Sequence, residues 1–162
     1  MATYVLSGGA TGIGAAIKAR LQAAGLRVVV LDLRDADIEV DLSEASQRQT
    51  AINTLLDMLP ETIDGIITCA GVASHFADLK KILTINYTGS VEIINGLRQR
   101  LAPGSSVVMV SSNSAPLCQK PELADYLLED QWHNIDAMLA ELTGHDCYSA
   151  SKQAVAKWMR RN

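Results

Sequence analysis

The sequence predicts an α/β fold: a doubly wound parallel sheet with helices on both faces. Two observations carry this. Short runs such as Val28-Val29-Val30-Leu31 are apolar throughout, as strands of a sheet buried on both faces must be. They alternate with amphipathic stretches of helical period, the order that gives α/β architecture.

Each element follows in turn. Tyr4-Val5-Leu6 is a short buried strand, stopped by the turn Ser7-Gly8-Gly9. Ile13, Ala16, Ile17 and Leu21 recur at helical spacing from Ile13 to Ala24, and Gly25 closes that helix. Arg27 to Leu31 is the second strand, with Asp32 at its end. Asp37 to Asp41 is a third, short strand. Ser43 stands as N-cap of a helix from Glu44 to Met58. Gly65 to Cys69 is the fourth strand and ends at Ala70-Gly71. Asn86 to Leu101 is helical and stops at Pro103-Gly104. Val107 to Val110 is the fifth strand, followed by Ser111-Ser112-Asn113-Ser114. Residues 116–146 are less regular, with helical character around Glu122 to Glu129 and Ile135 to Leu142. A last helix begins near Cys147 and runs to the chain end.

Composition narrows the function classes. The 162 residues suit a single domain spanning 1–162, and 48% apolar with 20% charged residues excludes a disordered or collagen-like chain. Aromatics at 4% and a net charge of −4 argue against a nucleic-acid partner. No apolar run reaches the about 18 residues of a membrane span. The N-terminus lacks the basic region of a secretory signal. Cys69, Cys118 and Cys147 are too few and too scattered for a disulfide framework, so a reducing, cytoplasmic setting is expected.

Three groups of residues bear chemistry. Ser7-Gly8-Gly9-Ala10-Thr11-Gly12-Ile13-Gly14 joins a strand to a helix. There the unpaired N–H groups and positive dipole of the helix face an anion, so Gly8, Thr11, Gly12, Ile13 and Gly14 are candidates to hold a cofactor diphosphate. No Gly-Lys-Ser/Thr follows, which excludes a nucleoside-triphosphate loop. Asp32 sits just past the second strand, where a carboxylate accepts hydrogen bonds from ribose hydroxyls. It also repels a 2′-phosphate by roughly 3 kcal/mol at 5 Å in an effective dielectric of 20. That is on the order of a hundredfold, in favour of NAD over NADP. Asp41 and Leu42 are candidates to border the adenine. The third group is Tyr148-Ser149-Ala150-Ser151-Lys152, whose ends share one helix face. A free phenol has a pKa near 10, so about one in a thousand is ionised at pH 7. A nearby ammonium and a positively charged nicotinamide both lower that value. A phenol so placed exchanges a proton with an alcohol or carbonyl while hydride moves on the cofactor.

Gly8-x-x-x-Gly12-x-Gly14, Ala70-Gly71, Asn86, Ser111-Ser112 and Tyr148-x-x-x-Lys152 occur in this order. Together they resemble the short-chain dehydrogenase/reductase family over essentially the whole chain. The resemblance implies a Rossmann-type dinucleotide-binding domain, NAD as cofactor, and a small-molecule alcohol or ketone as substrate. It implies Tyr148 as acid/base and Lys152 as the ligand of the nicotinamide ribose. Ser112, rather than Ser111, would orient the substrate oxygen. Asn86 would bend its helix and hold a relay water, and Ala70 and Gly71 would lie on the adenosine side. The stretch 30–43 looks most like two NAD-linked kinds of member, bacterial 3α-hydroxysteroid dehydrogenase/carbonyl reductases and coniferyl-alcohol dehydrogenases.

Ser112 and Tyr148 are 36 positions apart, a wider gap than the family's usual one. Residues 116–146 therefore read as an insertion over the substrate mouth, with Leu127, Leu128, Trp132 and Met138 as its apolar lining. A hairpin that only packs on the surface or forms an oligomer contact is the other reading. Thr68-Cys69 replaces the family's pair of asparagines and weakens the expected hydrogen bonding there. The family's C-terminal third, two strands and a closing loop, has no counterpart in these residues, so missing residues are expected. The family also implies a homo-oligomer. The histidines and cysteines share no metal-ligand spacing, so no metal is expected. Two other functions stay open: a nucleotide-binding or scaffold protein without turnover, and an NADPH-linked carbonyl or acyl reductase.

Overall fold

A computed structural model describes residues 1–162. In chain order the elements are β1 (Thr3–Ser7), α1 (Gly12–Ala23), β2 (Arg27–Asp32), β3 (Ile38–Glu39), α2 (Ala45–Met58) and β4 (Ile63–Thr68). Next come α3 (Leu79–Leu83), a π-helical turn (Thr84–Thr88), α4 (Gly89–Leu97), a 3₁₀ turn (Arg98–Arg100) and β5 (Leu101–Met109). A 3₁₀ turn (Ala115–Leu117), α5 (Pro121–Leu128), α6 (Trp132–Met138), a 3₁₀ turn (Leu139–Glu141) and α7 (Gly144–Arg161) complete the chain. No helix is long and apolar enough to cross a membrane. The chain divides into two units, residues 1–70 with 89–108 and residues 71–88 with 109–162.

The first unit holds the sheet, in the order β3-β2-β1-β4-β5. β1 pairs in parallel with both β2 and β4, so Val5 lies opposite Val29 on one side and Ile66 on the other. β3 continues the sheet in parallel from β2. Leu6, Val28, Val30 and Ile67 form a core cluster on one face, packed by Ile17 and Leu21 of α1. Val5, Val29 and Ile66 point to the opposite face and are equally buried, which is why these strands read as apolar throughout. α2 is tied to α4 by Arg48, whose Nε and Nη2 donate to the Glu92 carboxylate at 2.6 and 3.0 Å. Its Nη1 donates to the Leu42 carbonyl at 2.9 Å, so each nitrogen of the guanidinium has a partner in a side chain that is 5% exposed.

The second unit is helical. α7 packs against α3, α5 and the π turn. Cys147, Ala150, Ala154 and Val155 of α7 are buried, as are Ile82 and Leu83 of α3 and Leu123, Ala124 and Leu127 of α5. Leu127 thus packs inside this unit. Lys157 bridges to Asp125 at 2.7 Å. Lys80 bridges to Asp136 at 2.6 Å and lies 5.6 Å from the centre of the Trp132 ring.

Several boundaries differ from the sequence reading. The helix expected from Asn86 begins at Leu79, because the Asp78 carboxylate caps it by accepting from the Lys81 N–H. β5 starts at Leu101 rather than Val107, with Pro103 and Gly104 inside an edge strand. Ser43 is not the cap of α2; Glu44 holds that position, and the Ser43 N–H donates to the Asp41 carboxylate instead. α7 begins three residues before Cys147, at a capping box in which Thr143 and Asp146 bond each other's backbone N–H.

Candidate active site

In the first unit the order of strands reverses between β1 and β4, the point where open α/β sheets leave a crevice at their carboxyl ends. The glycine loop lies there. Gly8 adopts φ +78°, and its N–H donates to the Leu31 carbonyl at 2.8 Å. A Cβ on Gly8 would overlap the backbone of Ala70, and one on Gly14 would overlap the Gly8 carbonyl oxygen. The loop is therefore folded tightly enough that side chains at these two positions are excluded, and α1 starts directly beneath it. Thr11 is the N-cap of α1, but its side chain makes no capping bond. Ile13 is 65% exposed on the first turn.

Asp32 is half-buried beside this loop. One carboxylate oxygen accepts from the Ala10 N–H at 2.9 Å and the other from the Leu33 N–H at 2.7 Å. Each oxygen has two lone-pair sites, so capacity is left for ribose hydroxyls. Asp41 closes a local turn through the Ser43 N–H, and Leu42 is buried with its side chain near Gly89. Ala70 lies against Gly8, and its N–H reaches the Ser7 hydroxyl at 3.4 Å. The buried Thr68 hydroxyl has no hydrogen-bond partner, in keeping with the loss expected where this asparagine position is a threonine.

In the second unit, α7 carries Tyr148 and Lys152 one turn apart. The Lys152 ammonium is 5.9 Å from the centre of the Tyr148 ring and donates to the Val110 carbonyl at 3.0 Å. Lys152 is buried, a costly place for a charge unless it is fixed by partners. Asn86 sits in the π turn, a widened helical turn common at functional sites. Its Oδ1 accepts from the Val72 N–H at 2.8 Å, and its Nδ2 donates to the Val72 carbonyl at 3.0 Å and the Ser151 hydroxyl at 3.2 Å. A Cβ on Gly71 would come within 3.0 Å of Asn86 Oδ1 and 3.4 Å of Lys152 Nζ, so the bare glycine lets both polar groups close over it. Gly71 thus lies with Asn86 and Lys152. The Ser111 hydroxyl donates to the Lys152 carbonyl at 2.8 Å, which commits it to positioning α7. The Ser112 hydroxyl accepts from the Ser114 N–H at 3.2 Å and from the Ser114 hydroxyl at 2.9 Å.

Two neighbours of these residues are unsuited to proton or nucleophile chemistry. Burial pushes the Tyr87 phenol up to about 12, against the Arg161 charge that lowers it. Burial also pushes the Cys147 thiol up to about 11, with the Asp146 carboxylate adding to the effect. Sequence reasoning missed the grip of Asp32 on Ala10 and the seat of Asn86 and Lys152 over Gly71. Both join residues far apart in the chain, and no local pattern announces them.

The family model for short chain dehydrogenases matches residues 2–126. The 3-alpha-hydroxysteroid dehydrogenase/carbonyl reductase of Comamonas testosteroni is 34% identical, over 99% of this chain and 65% of its own. The coniferyl-alcohol dehydrogenase of a Pseudomonas species is 33% identical, over 67% of this chain and 43% of its own. Among solved structures, the 3-alpha-hydroxysteroid dehydrogenase from Pseudomonas sp. B-0831, complexed with NADH, superposes with a TM-score of 0.92 at 33% identity, covering 99% of this chain and 65% of that one. The chain therefore spans about two thirds of the length of the relatives that it matches end to end. With the parallel sheet, the glycine loop and the match over residues 2–126, the chain belongs to the short chain dehydrogenase family.

Proposed function

We propose that the protein is an NAD(H)-dependent oxidoreductase that interconverts a secondary or aryl alcohol and its carbonyl compound, a hydroxysteroid or a compound like it. The observation that carries this reading is the buried Lys152 ammonium, pinned by the Val110 carbonyl one helical turn from Tyr148. NAD, when bound, accepts or donates the hydride. Tyr148 takes the proton of the alcohol in oxidation and returns it in reduction. Lys152 reaches the nicotinamide ribose, Ser112 orients the substrate oxygen, and Asn86 holds a relay water. Gly8, Thr11, Gly12, Ile13 and Gly14 hold the diphosphate and Asp32 the ribose, with Asp41, Leu42, Ala70 and Gly71 lining the rest of the cofactor path. Residues 1–162 act as one dinucleotide-binding domain, in which 116–146 cover the substrate side. The protein works as a homo-oligomer in the cytoplasm. The NADH held by the Pseudomonas relative supports the cofactor, and the names of the Comamonas and Pseudomonas relatives support the substrate class.

Tyr148→Phe tests the reading. NADH fluorescence titration should give a Kd within about twofold of wild type, because the lost hydroxyl acts on the substrate side. Turnover of a panel of hydroxysteroids and aryl alcohols should fall by about 10²-fold or more, the scale of a lost acid/base. A phenylalanine variant that keeps most of its rate overturns the assignment. Tight NADH binding with no turnover of any alcohol or ketone by the wild type would favour a nucleotide-binding protein instead.

A further inference from the structure

The Asp32 carboxylate does more than wait for a ribose. It accepts the N–H of Ala10, a residue in the middle of the glycine loop and 22 positions away in the chain. Its other oxygen is tethered by the Leu33 N–H, so the carboxylate is fixed from its own strand end and holds the loop from outside. No other side chain is seen to bond the loop's backbone at Ala10. Thr11 offers no side-chain cap to α1, and the loop's glycines bring no side chains. The loop's other hydrogen bonds lie away from Ala10: Ser7 accepts from the Cys69 and Ala70 N–H groups, the Gly8 N–H donates to the Leu31 carbonyl and the Ala15 N–H to the Thr11 carbonyl.

We infer that Asp32 is a positioning residue for the diphosphate loop, acting through the Ala10 N–H, in addition to any contact with ribose. This rests on the reading that the glycine loop holds a dinucleotide diphosphate. A charge-assisted hydrogen bond from a tethered carboxylate is of the stronger kind. It fixes the Gly9–Ala10 peptide plane and so narrows the orientations open to the two flanking peptides, which carry the N–H groups of Gly9 and Thr11. A donor array aimed in advance binds an anion more tightly than one that must first be ordered. The same residue then couples the two ends of the adenosine diphosphate site: movement of its carboxylate towards a ribose hydroxyl is felt by the loop.

The test separates this from direct ribose binding and from the charge of Asp32. Asp32→Asn and Asp32→Ala both remove the charge, but the asparagine oxygen can still accept the Ala10 N–H. The probe is 2′,3′-dideoxyadenosine diphosphate, which has the phosphates and lacks the hydroxyls that Asp32 would contact. Calorimetry should show the asparagine variant binding it about fivefold tighter than the alanine variant, the worth of one ordinary hydrogen bond. The two variants should bind 2′,3′-dideoxyadenosine, which has no phosphate, equally. Amide hydrogen exchange of unliganded protein gives a second readout: protection at Ala10 should be retained by asparagine and lost by alanine. Equal affinity of both variants for the diphosphate probe, or unchanged protection at Ala10 in the alanine variant, overturns the proposal while leaving NADH binding by the wild type intact. Failure of the wild type to bind NADH or the diphosphate probe at all removes the cofactor reading and the proposal with it.

Discussion

Gly144→Ala is a substitution on which two physical effects pull in opposite directions. Gly144 is the first residue of α7, and alanine is the better helix former by up to about 1 kcal/mol. Its φ is not in the left-handed region, so the backbone itself accepts alanine. Helix propensity alone therefore predicts stabilisation. Packing predicts the reverse. A Cβ on Gly144 would fall inside the carbonyl oxygen of Ser74, a backbone atom that cannot swing aside as a side chain would. The start of α7 and the segment around Ser74 must separate by about 1 Å to reach ordinary contact. Overpacking of this kind costs about 1–3 kcal/mol. The net result expected is a loss of about 1–2 kcal/mol, once the propensity gain is subtracted. Urea unfolding followed by circular dichroism reads it as a lower midpoint at unchanged slope. Tyr148, the proposed acid/base, is four residues further along the same helix, and on that proposal a displacement of this size costs on the order of 10²-fold in rate. A variant as stable as wild type, or more stable, would show that the Ser74 contact yields freely and would sink the packing argument.

Two further outcomes follow from the same structure. The Thr143 hydroxyl and N–H hold the Asp146 carboxyl below the usual carboxylate range, so the capping box is worth most above the unfolded Asp pKa of about 3.9 and is lost as pH falls through the lower folded value. Asp146→Asn should lower the melting temperature near neutral pH and flatten its decline in that acid range; identical acid profiles for the two proteins would exclude the carboxyl as the source. Thr68→Val replaces a buried hydroxyl that has no partner with a methyl group of nearly the same shape, and should raise stability by about 1 kcal/mol in urea unfolding; a clear loss would mean that the hydroxyl is satisfied in solution.

The strands were legible because both faces of the sheet are covered, which leaves Val28 to Leu31 and Ile66 to Ile67 no polar positions to obscure the pattern. Gly8, Gly12 and Gly14 were legible as a tight loop because their spacing between a strand and a helix has few other uses. The start of the helix at Leu79 was not, since Asp78 is one acid among several and its capping bond shows only once the chain is folded. The 3₁₀ turn and edge position that let β5 run through Pro103 and Gly104 were likewise hidden, because a proline is a breaker in an interior strand and tolerable at an edge. At the candidate site the residue types were readable and their partners were not. Asp32 meets Ala10, and Gly71 meets Asn86 and Lys152, across spans that no periodicity encodes.

The π turn at Thr84–Thr88 sets a limit on how this segment can change length. A widened turn accommodates one residue more than an ordinary α turn. Deleting any one of the four residues other than Asn86 would let the helix close to regular pitch and turn the Asn86 amide by up to about 100° around the axis relative to one of the flanking helices. The amide would then miss Val72 and Ser151 together, so the segment between Leu83 and Gly89 can accept replaced side chains far more readily than a lost or gained position.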